Sequence, residues 1–247
     1  MGRAAALLKS PRGAAFAAVL VVLLAYYVVA RSLPDLTLWW EVAFLGVVLI
    51  PAIFVLVWLA LPLWRARGLL PVAAAFAALA VAGEIAGLDT IADFAKLAAL
   101  TLASFWFLTL FEAASWVTLV ALIIPLVDIF SVFRGPTGHV IEERPGIFET
   151  IAFGFPVPGE SEPARLGPPD ILFFGLFLAA AARFRLRIAW TWVGMAASFG
   201  LTLALAVWFD VSGLPALPLL SLGFLLPNAD LLWKELRRGR RALVPDE

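Results

Sequence analysis

Eight runs of about 20 apolar residues recur along the chain, and no other feature constrains the fold as strongly. A run of that length rising 1.5 Å per residue matches the ~30 Å hydrocarbon core of a bilayer. The runs lie near residues 13–31, 39–63, 69–87, 92–111, 113–133, 170–188, 190–209 and 215–233. In lipid each must satisfy its own backbone hydrogen bonds, so each is expected to be a helix. The expected fold is an all-α polytopic membrane protein with about eight transmembrane helices. Composition agrees: 63% hydrophobic residues, 15% charged and a mean hydropathy of +1.00 exceed what a soluble domain of 247 residues carries. The fourth run is the weakest, because Asp93 and Lys96 stand at its start, spaced as an i, i+3 ion pair. The first follows Arg3, Lys9 and Arg12, and its apolar stretch is longer than a signal-peptide core, so it is expected to stay as an anchor.

The placement of basic residues orients the runs. Arg3, Lys9, Arg12, Arg65, Arg67, Arg183, Arg185 and Arg187 fall on one side, with Lys234, Arg237, Arg238, Arg240 and Arg241. Only Arg31, Arg134, Arg144 and Arg165 fall on the other. The positive-inside rule then predicts both termini in the cytosol and the one long connection, residues 134–169, outside it. The tail 234–247 reads as a basic cytosolic anchor near anionic lipid. With 18 basic and 18 acidic residues in all, no nucleic-acid partner is expected.

Several chemistries are excluded by what is missing. There is no cysteine, so thiolate catalysis and disulfides fall away, and His139 is the whole imidazole inventory. Multi-histidine metal sites are therefore ruled out, and no metal or cofactor is expected. Glu41 and Glu84 are read as interfacial, Asp210 as a solvated turn residue and His139 as a loop residue.

Two carboxylates remain to be explained. Asp128, in "LVDIFSVF", stands inside the fifth run, where an unpaired charge costs several kcal/mol. Asp170 opens the sixth run behind Pro168 and Pro169, a placement suited to a helix's first turn. Both lie toward the same, non-cytosolic end. If their helices are neighbours, like charge prevents both from ionising cheaply, and the pair holds one proton between them. An aspartic protease needs that state. The residues by themselves equally allow two separate structural acids or a proton relay in a transporter.

The residues around both acids carry a resemblance. "VDIFSVF" (127–133), "LGPPDILFFGLFLAAAARF" (166–184) and "LPALPLL" (214–220) together resemble the GxGD intramembrane aspartyl proteases, the presenilin and signal peptide peptidase family, and the peptidase branch more closely. Phe130, Val132 and Phe133 follow the first aspartate as in that branch, and Pro215, Ala216 and Leu217 match its Pro-Ala-Leu motif. The resemblance covers about residues 113–226. It implies a presenilin-like bundle in which Asp128 and Asp170 are the catalytic pair, while Gly167 and the turn Pro215–Leu217 help to hold an unwound substrate. It also implies that residues 113–247 form the catalytic helices, with 1–112 as N-terminal transmembrane helices that carry no motif of the family. Substrates would be transmembrane helices, such as signal-peptide remnants or type II anchors, taken from the bilayer.

The outer connection has a part in this reading. A membrane helix must be unwound before cleavage, and pairing it as a strand on an enzyme edge replaces its lost hydrogen bonds. The apolar stretch "GIFETIAFGFPVP", residues 146–158, could provide that edge; the plainer expectation is a loop resting on the headgroups. Two substitutions depart from the family pattern. Val127 replaces the tyrosine before the first aspartate, and Pro169 replaces the second glycine of Gly-x-Gly-Asp. They raise the alternative of a relative that binds membrane helices without cleaving them.

Overall fold

The computed structural model describes residues 10–134, 150–211 and 214–243. Among them are eight principal helices: α1 (Pro11–Val29), α2 (Leu38–Arg65), α3 (Leu69–Ile85), α4 (Asp89–Phe107), α5 (Ala114–Arg134), α6 (Pro168–Arg183), α7 (Ile188–Trp208) and α8 (Leu217–Leu243). His139, Arg144, Glu142, Glu143 and the start of the 146–158 stretch lie outside the described residues.

Prolines shape the helices without ending them. Pro51 has no N–H to offer Val47, and a π-helical turn over Leu45–Leu49 widens α2 just before it. Pro62 leaves the end of α2 as a 3-10 turn, where Arg12 of α1 donates to the carbonyl of Leu59 at 3.0 Å and to that of Trp58. Arg183 likewise donates to the Leu108 carbonyl, 2.8 Å away, just beyond α4, and Arg187 to Asp230 of α8. Basic side chains thus bind the helix ends on one side of the bundle. At the opposite side Tyr26, Tyr27 and Ala30 of the α1 end meet the chain around Gly154–Gly159.

Close backbone approach ties the bundle together, as expected where lipid supplies no hydrophobic force between helices. A Cβ added at Gly194 of α7 would stand 2.6 Å from the carbonyl oxygen of Gly223 in α8, so no larger residue fits without moving a helix. Gly46 and Gly200 bring α2 and α7 together in the same way. Helix α6 runs through the centre. Its residues Phe174 and Leu176–Ala181 are fully enclosed, with Phe174 stacked on Phe54 at 3.9 Å and Phe177 on Phe224 at 4.8 Å.

Among the described residues, five helical segments are long and apolar enough to cross a membrane: Pro11–Ser32, Leu38–Arg65, Asp89–Leu110, Ala114–Val132 and Ile188–Trp208. The large apolar side chains on their outer faces, Val28, Val47, Leu122 and Leu126 among them, suit contact with lipid. The fourth run, expected to be the weakest, qualifies by this measure. Its charges gather at one end, and Lys96 is folded into the protein. The sixth run is shorter than expected. Helix α6 stops at Arg183 after 16 residues, because the chain reverses through Phe184–Arg187 with Arg185 at a positive φ of 56°; the apolar Phe184, Leu186 and Ile188 had extended the run in the sequence.

The connection between α5 and α6 departs from all-α. Phe153–Phe155 (β1) and Ala164–Leu166 (β2) form an antiparallel hairpin with Gly154 opposite Arg165. β2 passes through Gly167 directly into α6.

Candidate active site

Asp128 lies in the second half of α5, half-buried. Pro125, one turn earlier, is carried inside the helix without breaking it. The carboxylate of Asp128 does not end in lipid: its Oδ2 accepts the backbone N–H of Leu217 at 3.1 Å. Leu217 is the first residue of α8 and follows Pro215 and Ala216, so the tripeptide picked out in the sequence is the segment that holds this acid. Ala216 also accepts the Leu220 N–H at 3.0 Å, which starts α8 at that point. A backbone donor aimed at a carboxylate is a strong hydrogen bond that needs no side-chain ordering.

Asp170 is held by a different device. Gly167 caps α6 in an extended conformation, φ −65° and ψ 147°, and Asp170 at the third helical position turns back to accept the Gly167 N–H at 3.2 Å. This is the returning half of a capping box. The two prolines between them occupy the first helical turn, where their missing N–H groups would have had no intrahelical partner. Pro169 therefore costs α6 no hydrogen bond, and its fixed φ suits the helix it opens. Backbone at Gly167 must come close to the carboxylate, since a Cβ there would lie 3.1 Å from Asp170 Oδ2.

Helices α5 and α6 touch, and α8, whose first residue holds Asp128, packs against both. Gly167, Asp170, Asp128 and Leu217 thus form one region at the hairpin end of the bundle. Chemically it offers two acids on neighbouring helices, each steadied by one backbone donor, beside a strand that leads into the second of them.

Sequence reasoning missed a second polar cluster. Lys96 of α4, nearly enclosed, pairs with Glu84 of α3 and with Asp93 at 3.4 Å, and donates to the Ala152 carbonyl at 2.9 Å. The spacing of Asp93 and Lys96 was legible; the pairing of Glu84 with that lysine, from a partly exposed position near the end of α3, was not. The signal for it was the Gly87-Leu88 turn, which folds α3 back on α4 and brings the two acids to one lysine. The cluster borders a cavity of about 690 Å3 behind the hairpin, which neither Asp128 nor Asp170 lines. Among the described residues no group of three or more metal-ligating side chains converges.

The hairpin also revises the expected peptide edge. β1 falls inside residues 146–158, but its side away from β2 is occupied: Asp93 Oδ1 accepts the Gly154 N–H at 3.0 Å and the Tyr27 hydroxyl donates to the Gly154 carbonyl at 3.0 Å. That stretch has no open edge at Gly154. None of the family models, curated proteins or solved structures searched matches this chain.

Proposed function

We propose that the protein is an intramembrane aspartyl protease in which Asp128 and Asp170 cleave peptide bonds within transmembrane helices. One observation carries the reading: Asp128 is bound by the N–H of Leu217, at the Pro215–Leu217 turn, on a helix that touches the one opened by Asp170. In the proposed reaction the ionised acid takes a proton from water as the water oxygen attacks the peptide carbonyl. The protonated acid gives its proton to the carbonyl oxygen, and the tetrahedral intermediate collapses with the C–N bond breaking and a proton passing to the leaving amine. No cofactor takes part. Leu217 and Gly167 donate to the two carboxylates and fix their orientation.

The unwound substrate pairs with the hairpin through β2, because β2 continues into Gly167 and Asp170. The substrate class is helices with a cytosolic N-terminus, such as signal-peptide remnants or type II anchors. This follows from the basic ends of α1, α2, α6 and α8 facing the cytosol and the hairpin facing away from it. In this reading the bundle is of the presenilin and signal peptide peptidase kind, with all eight helices in the membrane.

Purified protein in bilayers should cleave a type II transmembrane peptide, and Asp128→Ala or Asp170→Ala should each abolish the products. Cleavage surviving in either variant contradicts the proposal. A second reading, a helix-binding relative without proteolysis, draws on Val127 and Pro169. It predicts that the peptide is captured intact and that a transition-state-analogue inhibitor fails to label the protein.

A further inference from the structure

Gly154 is the point where three helices grip the hairpin. Its N–H goes to Asp93 of α4 and its carbonyl to Tyr27 of α1. One residue before β1, the Ala152 carbonyl takes the Lys96 ammonium, and Glu84 of α3 holds that lysine from the other side. Beyond the strand, Tyr26 donates to the Pro156 carbonyl at 2.7 Å, and the Gly159 N–H reaches the Ala30 carbonyl at 3.0 Å. In an antiparallel pair, successive residues point their N–H and C=O groups alternately toward and away from the partner strand. Since Gly154 points outward, Phe153 and Phe155 take the ladder positions against Leu166 and Ala164. The outer edge of β1 is thus filled by side chains.

The sequence is fitted to this grip. A Cβ at Gly154 would stand 3.1 Å from Asp93 Oδ2, so only glycine lets the carboxylate approach the strand without displacement. An ammonium placed among enclosed groups is costly unless charge and hydrogen bonds compensate it, and here two carboxylates and a carbonyl do so. Such an arrangement is more than a loop resting on a surface requires.

We propose that Asp93, Lys96 and Tyr27 are positioning residues: they occupy the outer edge of β1, and so hold the hairpin in place beside Asp170, into which β2 runs. This rests on the protease reading for its consequence and on the hydrogen bonds for its mechanism. With β1 held at a fixed height, the hairpin cannot swing or slip beside the Asp170 end of α6, and one peptide bond is brought to the two acids. Released, the hairpin can shift, and a shift by one residue exchanges the faces of a paired strand.

The test uses the full chain in bilayers, with two readouts: amide hydrogen exchange at Gly154, and the masses of the products from a type II transmembrane peptide. Asp93→Ala should raise exchange at Gly154 on the order of tenfold, as loss of a hydrogen bond to a charged group implies, and spread cleavage from one bond over several. Asp93→Asn keeps an acceptor and should restore both. Tyr27→Phe keeps the ring, loses the donor and should spread the products to a lesser degree. Unchanged exchange and a single product in Asp93→Ala and Tyr27→Phe overturn the proposal, as does Asp93→Asn behaving like Asp93→Ala. Should Asp93→Ala fail to fold, Tyr27→Phe decides. A wild-type chain that cleaves nothing overturns the protease reading and leaves the exchange readout to decide the grip.

Discussion

The two helices that carry the aspartates are built in opposite ways. Helix α6 is enclosed almost throughout, packed by aromatic rings of α2, α7 and α8, and capped at Asp170 by its own backbone. Helix α5 lies at the rim: Leu122, Leu126, Val127 and Phe130 are all more than half exposed, and Asp128 is tied to the rest by a single backbone donor of α8. One acid is therefore set in a rigid post and the other on a helix facing lipid. On the proposed protease reading, in which a helix is admitted from the bilayer, that asymmetry gives the site a fixed half and a movable half.

The largest expected effect breaks the comparison at both acids equally. Asp128→Asn and Asp170→Asn should each lower kcat by at least about 10^3-fold on a transmembrane peptide, since either loss removes the shared proton's acid or base. Next comes the contrast between the helices themselves. Phe174→Ala in α6 should cost about 3–5 kcal/mol in reversible unfolding, through the cavity it leaves among stacked rings. Leu126→Ala in α5, at a side chain 68% exposed, should stay within about 0.5 kcal/mol. Equal losses at the two positions would erase the distinction.

Leu217→Pro sharpens it further. Proline fits the first position of a helix, so α8 should still form, but Asp128 loses its donor. Activity should fall about 10- to 100-fold, the equivalent of one charged hydrogen bond, and stability by a few kcal/mol besides, on the order of a buried leucine truncation, because the Leu217 side chain is enclosed. A pair of interacting carboxylates also predicts a bell-shaped pH dependence of kcat/KM. At low pH both are protonated and no base remains; at high pH both are ionised and no acid remains. A single sigmoid would mean that one carboxylate acts alone. The smallest effect belongs to the basic end. Arg187 and Asp230 are exposed, and although hydrogen bonding to Asp230 holds the guanidinium above its ordinary pKa, Arg187→Gln should leave the unfolding midpoint close to that of the unchanged protein, since solvent screens the pair.

Much of this architecture was legible in the residues. Apolar run length placed the helices, since a lipid-facing helix must be apolar along its whole length, and the prolines before Asp170 marked the α6 start correctly. Burial was not legible. A run such as "FFGLFLAAAA" in α6 and "VTLVALII" in α5 are equally apolar, yet one faces protein and the other lipid, because hydropathy does not separate the two surroundings. Small residues were the better clue: the alanines of α6 are enclosed, and the glycine pair of α7 and α8 allows close approach. β2 went unread because three residues with an arginine at the centre show no alternation to detect, and the grip on Gly154 joins residues from four segments distant in the chain.

The absence of cysteine from the chain makes the central claim directly measurable. Asp128→Cys and Asp170→Cys, combined in one chain and treated in the bilayer with a short bifunctional thiol reagent, should cross-link α5 to α6 in high yield. Each single variant should give none, and a pair of cysteines at Leu126 and Asp170, with the first facing lipid, should give little. A double variant that stays uncrosslinked while both thiols react with a monofunctional reagent would contradict the account, because the two acids would then not face one another.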